Sequence, residues 1–291
     1  MNLENSSVTS DLSLRVKLGL RAVKRSAMRK YLSGTLPLYL VPEFPKSGGT
    51  WFSQMLADCL EVPFYRNTSY QRMNSSVMSG HFLYDSRYKN VVVKFRDGRD
   101  VIVSAYYYFL FKNEINANFG VARHRGYCRF DDYDDIQTNL PKFIDYMFTD
   151  YAKGRRHFSW SDFVDSWIDE IDFYVTYRQL RTEPVKTMDA AVQKLTGRNL
   201  PEEKIQAVVD KYSFKRQTGR AQGDSCKHSF ARKGIVGDWV NHFSPEAREV
   251  FAKHAGKQLI RLGFEKDLAW VNETAPTTPG SPALLAEDSA G

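Results

Sequence analysis

Apolar positions along the chain fall into runs whose period switches between helical and extended, with turn residues between them. From residue 12 to 32, Leu12, Val16, Leu20, Val23 and Ala27 share one stripe, and Arg15, Lys17, Lys24, Arg25 and Arg29 occupy the rest of the surface. The pattern predicts a basic amphipathic helix whose apolar stripe packs on the core. A membrane-surface helix is the alternative reading. Leu36 to Phe44 reads as a buried strand, Pro45 to Gly49 as a turn and Thr50 to Leu60 as a helix. Val91 to Phe95 is an apolar, β-branched run broken only by Lys94, which predicts a second strand. Asp97-Gly98 forms the next turn, and Asp100 to Phe111 reads as a helix. Asp172 to Tyr177 predicts a third strand, followed by a helix through Leu195 that Gly197 caps. Pro201 opens a helix to about Tyr212. Ser244-Pro245 is an N-cap and first-turn pair opening a helix to about Leu262, stopped by Gly263. Strand–turn–helix units in series predict an α/β fold with a parallel sheet.

Composition narrows the class. The chain has 291 residues, 42% hydrophobic, 26% charged and 14% aromatic, so the body is globular and long enough for one or two domains. The longest uncharged apolar run, Val101 to Phe111, is too short to span a membrane. Lys17 and Arg21 break the only N-terminal stretch that could serve as the apolar core of a signal peptide. Cys59, Cys128 and Cys226 are scattered and odd in number, against a disulfide scaffold or a cysteine zinc site and in favour of a reducing, cytoplasmic setting. Asn-x-Ser/Thr matches at Asn5, Asn67, Asn74 and Asn272 therefore read as chance.

Net charge is +7 and uneven. Residues 1–33 hold seven Lys or Arg against two acids, and residues 272–291 hold three acids and no base. Residues 1–35 thus read as a basic helical segment. Residues 272–291 read as a disordered tail, rich in Ser, Ala, Pro and Gly from Gly280 on. The positive balance of the body suits a polyanionic ligand. Nucleic acid is disfavoured, because no zinc finger, RNP-type motif or basic-heptad pattern is present.

Three stretches carry candidate chemistry. Pro45-Lys46-Ser47-Gly48-Gly49-Thr50-Trp51 follows a strand and opens a helix, which aims backbone N–H groups and a helix dipole at one anion. Lys46 adds a mobile charge, and Ser47 and Thr50 add hydroxyls. It is not a Walker A loop: the only Gly-Lys pair is Gly256-Lys257, and Phe251 stands where that motif needs its first glycine. In the second stretch, residues 94–104, a strand delivers Arg96 at its carboxyl end, where open α/β sheets bind ligands, and Ser104 lies two turns into the next helix. The third, Arg232-Lys233-Gly234-Ile235-Val236-Gly237-Asp238-Trp239, is a basic, glycine-bearing loop.

Together the three resemble the PAPS-dependent sulfotransferases of the cytosolic type, over about residues 38–265. Residues 45–51 match the family's 5′-phosphosulfate loop with one change. Arg96, Asp100 and Ser104 match the spacing of its 3′-phosphate motif, and residues 232–239 match its carboxyl motif throughout. The resemblance implies a P-loop-like fold with a central parallel sheet flanked by helices, in a sulfotransferase domain over residues 36–271. It implies 3′-phosphoadenosine 5′-phosphosulfate as co-substrate, with no metal and a small-molecule acceptor. Lys46, Ser47, Gly48, Gly49 and Thr50 would hold the 5′ group, and Trp51 would stack on adenine. Arg96, Ser104, Arg232, Lys233 and Gly234 would hold the 3′-phosphate. Tyr177, Ser213 and Phe214 would lie near adenine. His81, the only histidine between the first two motifs, would be the general base. An imidazole with an ordinary pKa near ~6.5 is mostly neutral at pH 7. Lys46 would neutralise the leaving phosphate.

Departures from the family pattern are Gly49 for its first threonine, Ser79 for a lysine two residues before the histidine, and Arg178-Gln179 for an acidic pair. The animal enzymes' dimer motif after Trp239 is missing, so the oligomeric state stays open. The acceptor pocket is expected from Phe82 to Tyr88 and Lys112 to Trp160. Asp131, Asp132, Asp134 and Asp135 form there either a solvated acidic loop or a lid for a cationic acceptor. Tyr106 to Phe111 read mostly as core. Two other readings are an ATP-dependent P-loop phosphotransferase, and a nucleotide-binding or membrane-surface protein without turnover.

Overall fold

The computed structural model describes residues 4–66, 71–115 and 118–273. The tail expectation falls almost entirely on residues 274–291, outside the described residues. The chain forms two compact units. The first holds residues up to Arg96, 158–226 and 231–234; the second holds 97–157, 227–230 and 235 onward.

In chain order the first unit contains α1 (Glu4–Leu32), β1 (Leu38–Pro42), α2 (Gly49–Cys59), β2 (Phe64–Tyr65), β3 (Ser76–Gly80) and β4 (Val93–Phe95). After the second unit's α3 (Gly98–Leu110), α4 (Asn118–Tyr127) and α5 (Ile136–Phe148), the first resumes with α6 (Trp160–Trp167), β5 (Tyr174–Thr176), α7 (Tyr177–Thr182), α8 (Pro184–Thr196), α9 (Glu202–Lys211) and α10 (Phe214–Thr218). The second unit closes with α11 (Pro245–Arg261).

All strand pairings are parallel. β3 lies between β1 and β2, and β4 pairs with β5. Single bridges, Leu40 to Val91 and Glu43 to Lys94, join β1 to the β4 segment. The order is therefore β2-β3-β1-β4-β5, with β1 at the point where connections diverge, and helices flank the sheet. Leu38, Leu40 and Val41 are wholly buried, as expected for a central strand covered on both faces. Helix α2 buries Phe52, Met55, Leu56 and Cys59, one helical stripe, into a core with Val77, Val92, Val175, Met188, Val192 and Ile205.

Strand β3 escapes the hydrophobic pattern because three of its five residues are Ser76, Ser79 and Gly80. Ser76 is fully buried, and its hydroxyl accepts from Gln71 Nε2 at 3.0 Å. The helix expected to run to Leu195 is broken at Glu183, because Pro184 starts α8 afresh. Gly197 does cap α8 with φ 68°. Helix α1 corrects the stripe expectation: Leu20 and Val23 are 66% and 67% exposed, while Arg25 and Met28 face inward at 2% and 3%.

In the second unit α11 packs along α5, and Ser244 caps α11 as expected, its hydroxyl accepting from Ala247 N. Arg99 is 1% exposed, bonds Asp97 and Glu265, and lies under Trp239 and Trp270 at 3.7 and 4.6 Å. Tyr106, Phe109, Leu110 and Phe111 are buried, in line with the core expectation, while Tyr107 and Tyr108 are half-buried.

Candidate active site

β1 ends at Pro42, and the chain turns through Glu43 to Gly48 into α2. Lys46 and Gly48 both take left-handed backbone, φ 69° and 85°. Alternating handedness gathers successive N–H groups into a concave nest for an anion, and the start of α2 adds its dipole. No side chain caps α2 through Gly48. A side chain at position 48 would also press on the Tyr177 ring, 2.9 Å from its nearest atom. Lys46 is not glycine, so its backbone stores roughly 1–2 kcal/mol of strain. The Ser47 hydroxyl is buried with no hydrogen-bond partner among the described residues. A buried orphan hydroxyl beside a nest of amides fits an anionic ligand.

Arg96 stands just past β4. Its Nη1 donates to Lys46 O at 3.0 Å, and its guanidinium lies 4.4 Å over the Tyr177 ring. Tyr177 is the first residue of α7 rather than the last of β5. A capping box between Thr176 and Gln179 starts the helix there, so Gln179 has a local role of its own. Trp51 Nε1 donates to Tyr212 O at 2.8 Å, and its ring meets Tyr177 edge-on. Ser213 precedes α10 and Phe214 opens it. Gly234, at φ 70°, lies so close to the Phe214 ring that a Cβ would overlap it. Arg220 donates to the carbonyls of Ala231 and Arg232, and Gly223 N donates to Lys233 O at 3.0 Å. Arg232 Nη1 reaches Ser225 Oγ at 3.4 Å. All of the expected donor residues except Ser104 lie in the first unit. Thr50 is half-buried in the first turn of α2, and Ser104 is half-buried on α3 of the second unit.

His81 follows β3 directly. Parallel register pairs Pro42 with Gly80, so His81 leaves the same sheet edge as the 45–51 loop. His81 Nδ1 lies 2.9 Å from Glu43 O. A carbonyl only accepts, so Nδ1 donates, and the neutral ring presents Nε2 as its basic nitrogen.

Three charged residues near these groups were missed from sequence. Glu43 is 6% exposed, and Gly49 N donates to its Oε2 at 2.6 Å. Lys94 is wholly buried, and its Nζ donates to Phe95 O at 3.2 Å. Burial, then the Arg96 charge, holds its pKa well below the usual lysine value, against the opposing pull of Glu43. Arg25 of α1 donates to Ser79 O at 2.8 Å and Gln71 Oε1 at 3.1 Å. Burial, then Arg29, lowers its pKa to about 10. A guanidinium thus reaches the backbone at the position where the family pattern has a lysine. For Glu43 and Lys94 the only signal in the sequence was a lone charge within an apolar run, and Arg25, outside the apolar stripe, gave none.

The expected acceptor segments are more structured than loops. Phe82 is buried, Trp167 Nε1 donates to its carbonyl at 3.0 Å, and Tyr84 and Tyr88 pack on the Trp167 ring. In the second unit the acidic run serves local structure. Asp135 caps α5, the Asp132 carboxylate accepts from Asp134 N, and Asp134 pairs with Lys227 at 2.6 Å. Asp100 receives the amides of Gly237 and Trp239 at 2.9 and 3.1 Å, which pins the end of the third motif.

A family model described as Sulfotransferase domain matches residues 63–263. The match begins after the 45–51 loop, so that loop is read on its own geometry. Sulfotransferase 1B1 of Mus musculus is 26% identical over 259 residues, 73% of this chain and 79% of the relative. Mouse sulfotransferase SULT7A1, solved in complex with PAP, is similar in fold at TM-score 0.57 and 15% identity, over 81% of this chain and 88% of that one. Retinol dehydratase, solved with retinol and PAP, gives TM-score 0.53 at 13% identity, over 81% and 85%.

Proposed function

This chain belongs to the sulfotransferase family, and we propose that it transfers a sulfuryl group from 3′-phosphoadenosine 5′-phosphosulfate to a hydroxyl or amine of a small-molecule acceptor, with His81 as general base. The observation that carries the reading is the pairing of His81 with the 45–51 loop through one residue. Glu43 accepts from His81 by its carbonyl and from the loop amide of Gly49 by its carboxylate. A base and an anion cradle so linked keep the proton acceptor beside the anion.

The donor supplies an activated sulfuryl group when bound. Gly48 and Thr50 offer amides to its 5′ end, Gly49 adds its own once Glu43 releases it, Ser47 offers its orphan hydroxyl, and Lys46 sets a positive charge against the departing phosphate. Arg96, Arg232, Lys233 and Gly234 supply cations and an amide for the 3′-phosphate. Trp51, Tyr177, Ser213 and Phe214 form the adenine side. As the acceptor oxygen bonds sulfur and the bridging sulfur–oxygen bond breaks, the acceptor's proton passes to His81 Nε2.

The test is incubation with labelled donor and a pooled extract, with mass spectrometry for added sulfate. His81→Ala retains bisphosphate binding and loses ~10²–10⁴-fold in turnover. Unchanged turnover in that variant removes His81 from the role.

A further inference from the structure

We infer that Glu43 is a specificity-determining residue of the donor cradle, a resident carboxylate that holds the Gly49 N–H and must yield it before a donor anion can use it. The inference rests on the donor reading above.

Gly49 is the first residue of α2, where N–H groups have no partner within the helix. Such a group would ordinarily be left for the ligand. Here it donates to Glu43 Oε2 at 2.6 Å, a short charge-assisted bond, in a site from which water is largely excluded. The two positions are matched in shape. A Cβ built on Gly49 would overlap the Glu43 carboxyl group. Glycine at 49, a departure from the family pattern, is what makes room for an inward-facing carboxylate at 43. Glu43 and Lys94 are bridged in register, and the Glu43 charge pulls against the burial that keeps the Lys94 pKa low. The cradle therefore already holds a carboxylate without a ligand. An incoming phosphate or phosphosulfate meets a like charge and one amide fewer. It binds by displacing that charge, which favours ligands anchored at several points over simple anions.

The experiment is calorimetric titration of the full chain and of Glu43→Gln with adenosine 3′,5′-bisphosphate and with inorganic pyrophosphate. Glutamine keeps the carbonyl that accepts from Gly49 and removes the charge. We expect Glu43→Gln to bind both probes at least tenfold more tightly. Unchanged or weaker binding of both probes overturns the inference. If pyrophosphate tightens while neither protein takes the bisphosphate, the donor reading fails and the inference about the cradle stands. If the native chain takes the bisphosphate and the variant gains nothing with either probe, the donor reading stands and the inference fails. Glu43→Ala is the second variant. If neither variant folds, as judged by circular dichroism, the carboxylate is a fixed part of the loop and not an exchangeable occupant, and the inference falls.

Discussion

Single residues separate most clearly by what burial does to their chemistry. Lys46 and Ser47 stood out in the sequence because a strand–turn–helix transition with glycines and hydroxyls suits an anion. Glu43 and Lys94 did not, because an isolated charge in an apolar run is ordinarily a surface residue. Only the tertiary fold shows that both residues are buried and bridged between neighbouring strand segments. The cysteines give a direct test of burial. Burial raises the thiol of Cys59 from 9.0 to about 11 and that of Cys128 to about 12. At pH 8, iodoacetamide should label Cys226, which is half-exposed, and spare the other two until denaturant is added. Mass spectrometry of the native and unfolded protein reads the count. The same shifts set a pH slope. Above about pH 9 the unfolded thiols lose protons that the folded chain retains, so stability falls as pH rises toward 11.

At the scale of elements, capping and breaking residues were read more reliably than burial. Gly197, Gly263 and Ser244-Pro245 mark helix ends as expected, because their effect is local. β3 was hidden because a strand buried on both faces needs no alternation and tolerates serines whose hydroxyls are bonded. α5 was hidden by Pro141 inside it and by the acidic run before it, which the fold uses as a cap. α1 was found, but its buried face was misjudged. An apolar stripe predicts the inner face only when no polar residue there has a partner, and Arg25 has two. This yields a paired prediction for thermal melts. Leu20→Lys combined with Val23→Lys leaves stability within ~0.5 kcal/mol per site, since both residues face solvent. Arg25→Ala costs about 2–4 kcal/mol, because two bonds to a buried charge are lost. A larger loss in the stripe variant than in Arg25→Ala would reverse the assignment of faces.

For the molecule as a whole, charge and connectivity matter more than any one contact. A net charge of +7 adds a long-range attraction for a polyanion to the short-range cradle. Exposed charges farther apart than about 10 Å are screened at ~0.1 M salt. Raising sodium chloride from about 0.05 to 0.5 M should therefore weaken bisphosphate binding several-fold and leave the melting temperature of the free protein little changed. Titrations at the two salt levels check this, and salt-independent affinity would argue against electrostatic capture. Among the described residues no helix is long and apolar enough to cross a membrane. The sequence by itself determined the helix ends at Gly197, Gly263 and Ser244-Pro245, the parallel α/β plan and the strand–turn–helix form of the 45–51 loop, since each rests on steric or hydrogen-bonding rules acting over a few neighbouring residues. Tertiary structure alone decided that His81 and the loop share a sheet edge, that Arg25 reaches Ser79, and that Glu43 occupies the Gly49 amide. The first rests on strand register and the second on the packing of α1, which brings together residues 54 positions apart, while the third rests on buried packing within one turn; no hydrophobic pattern encodes them.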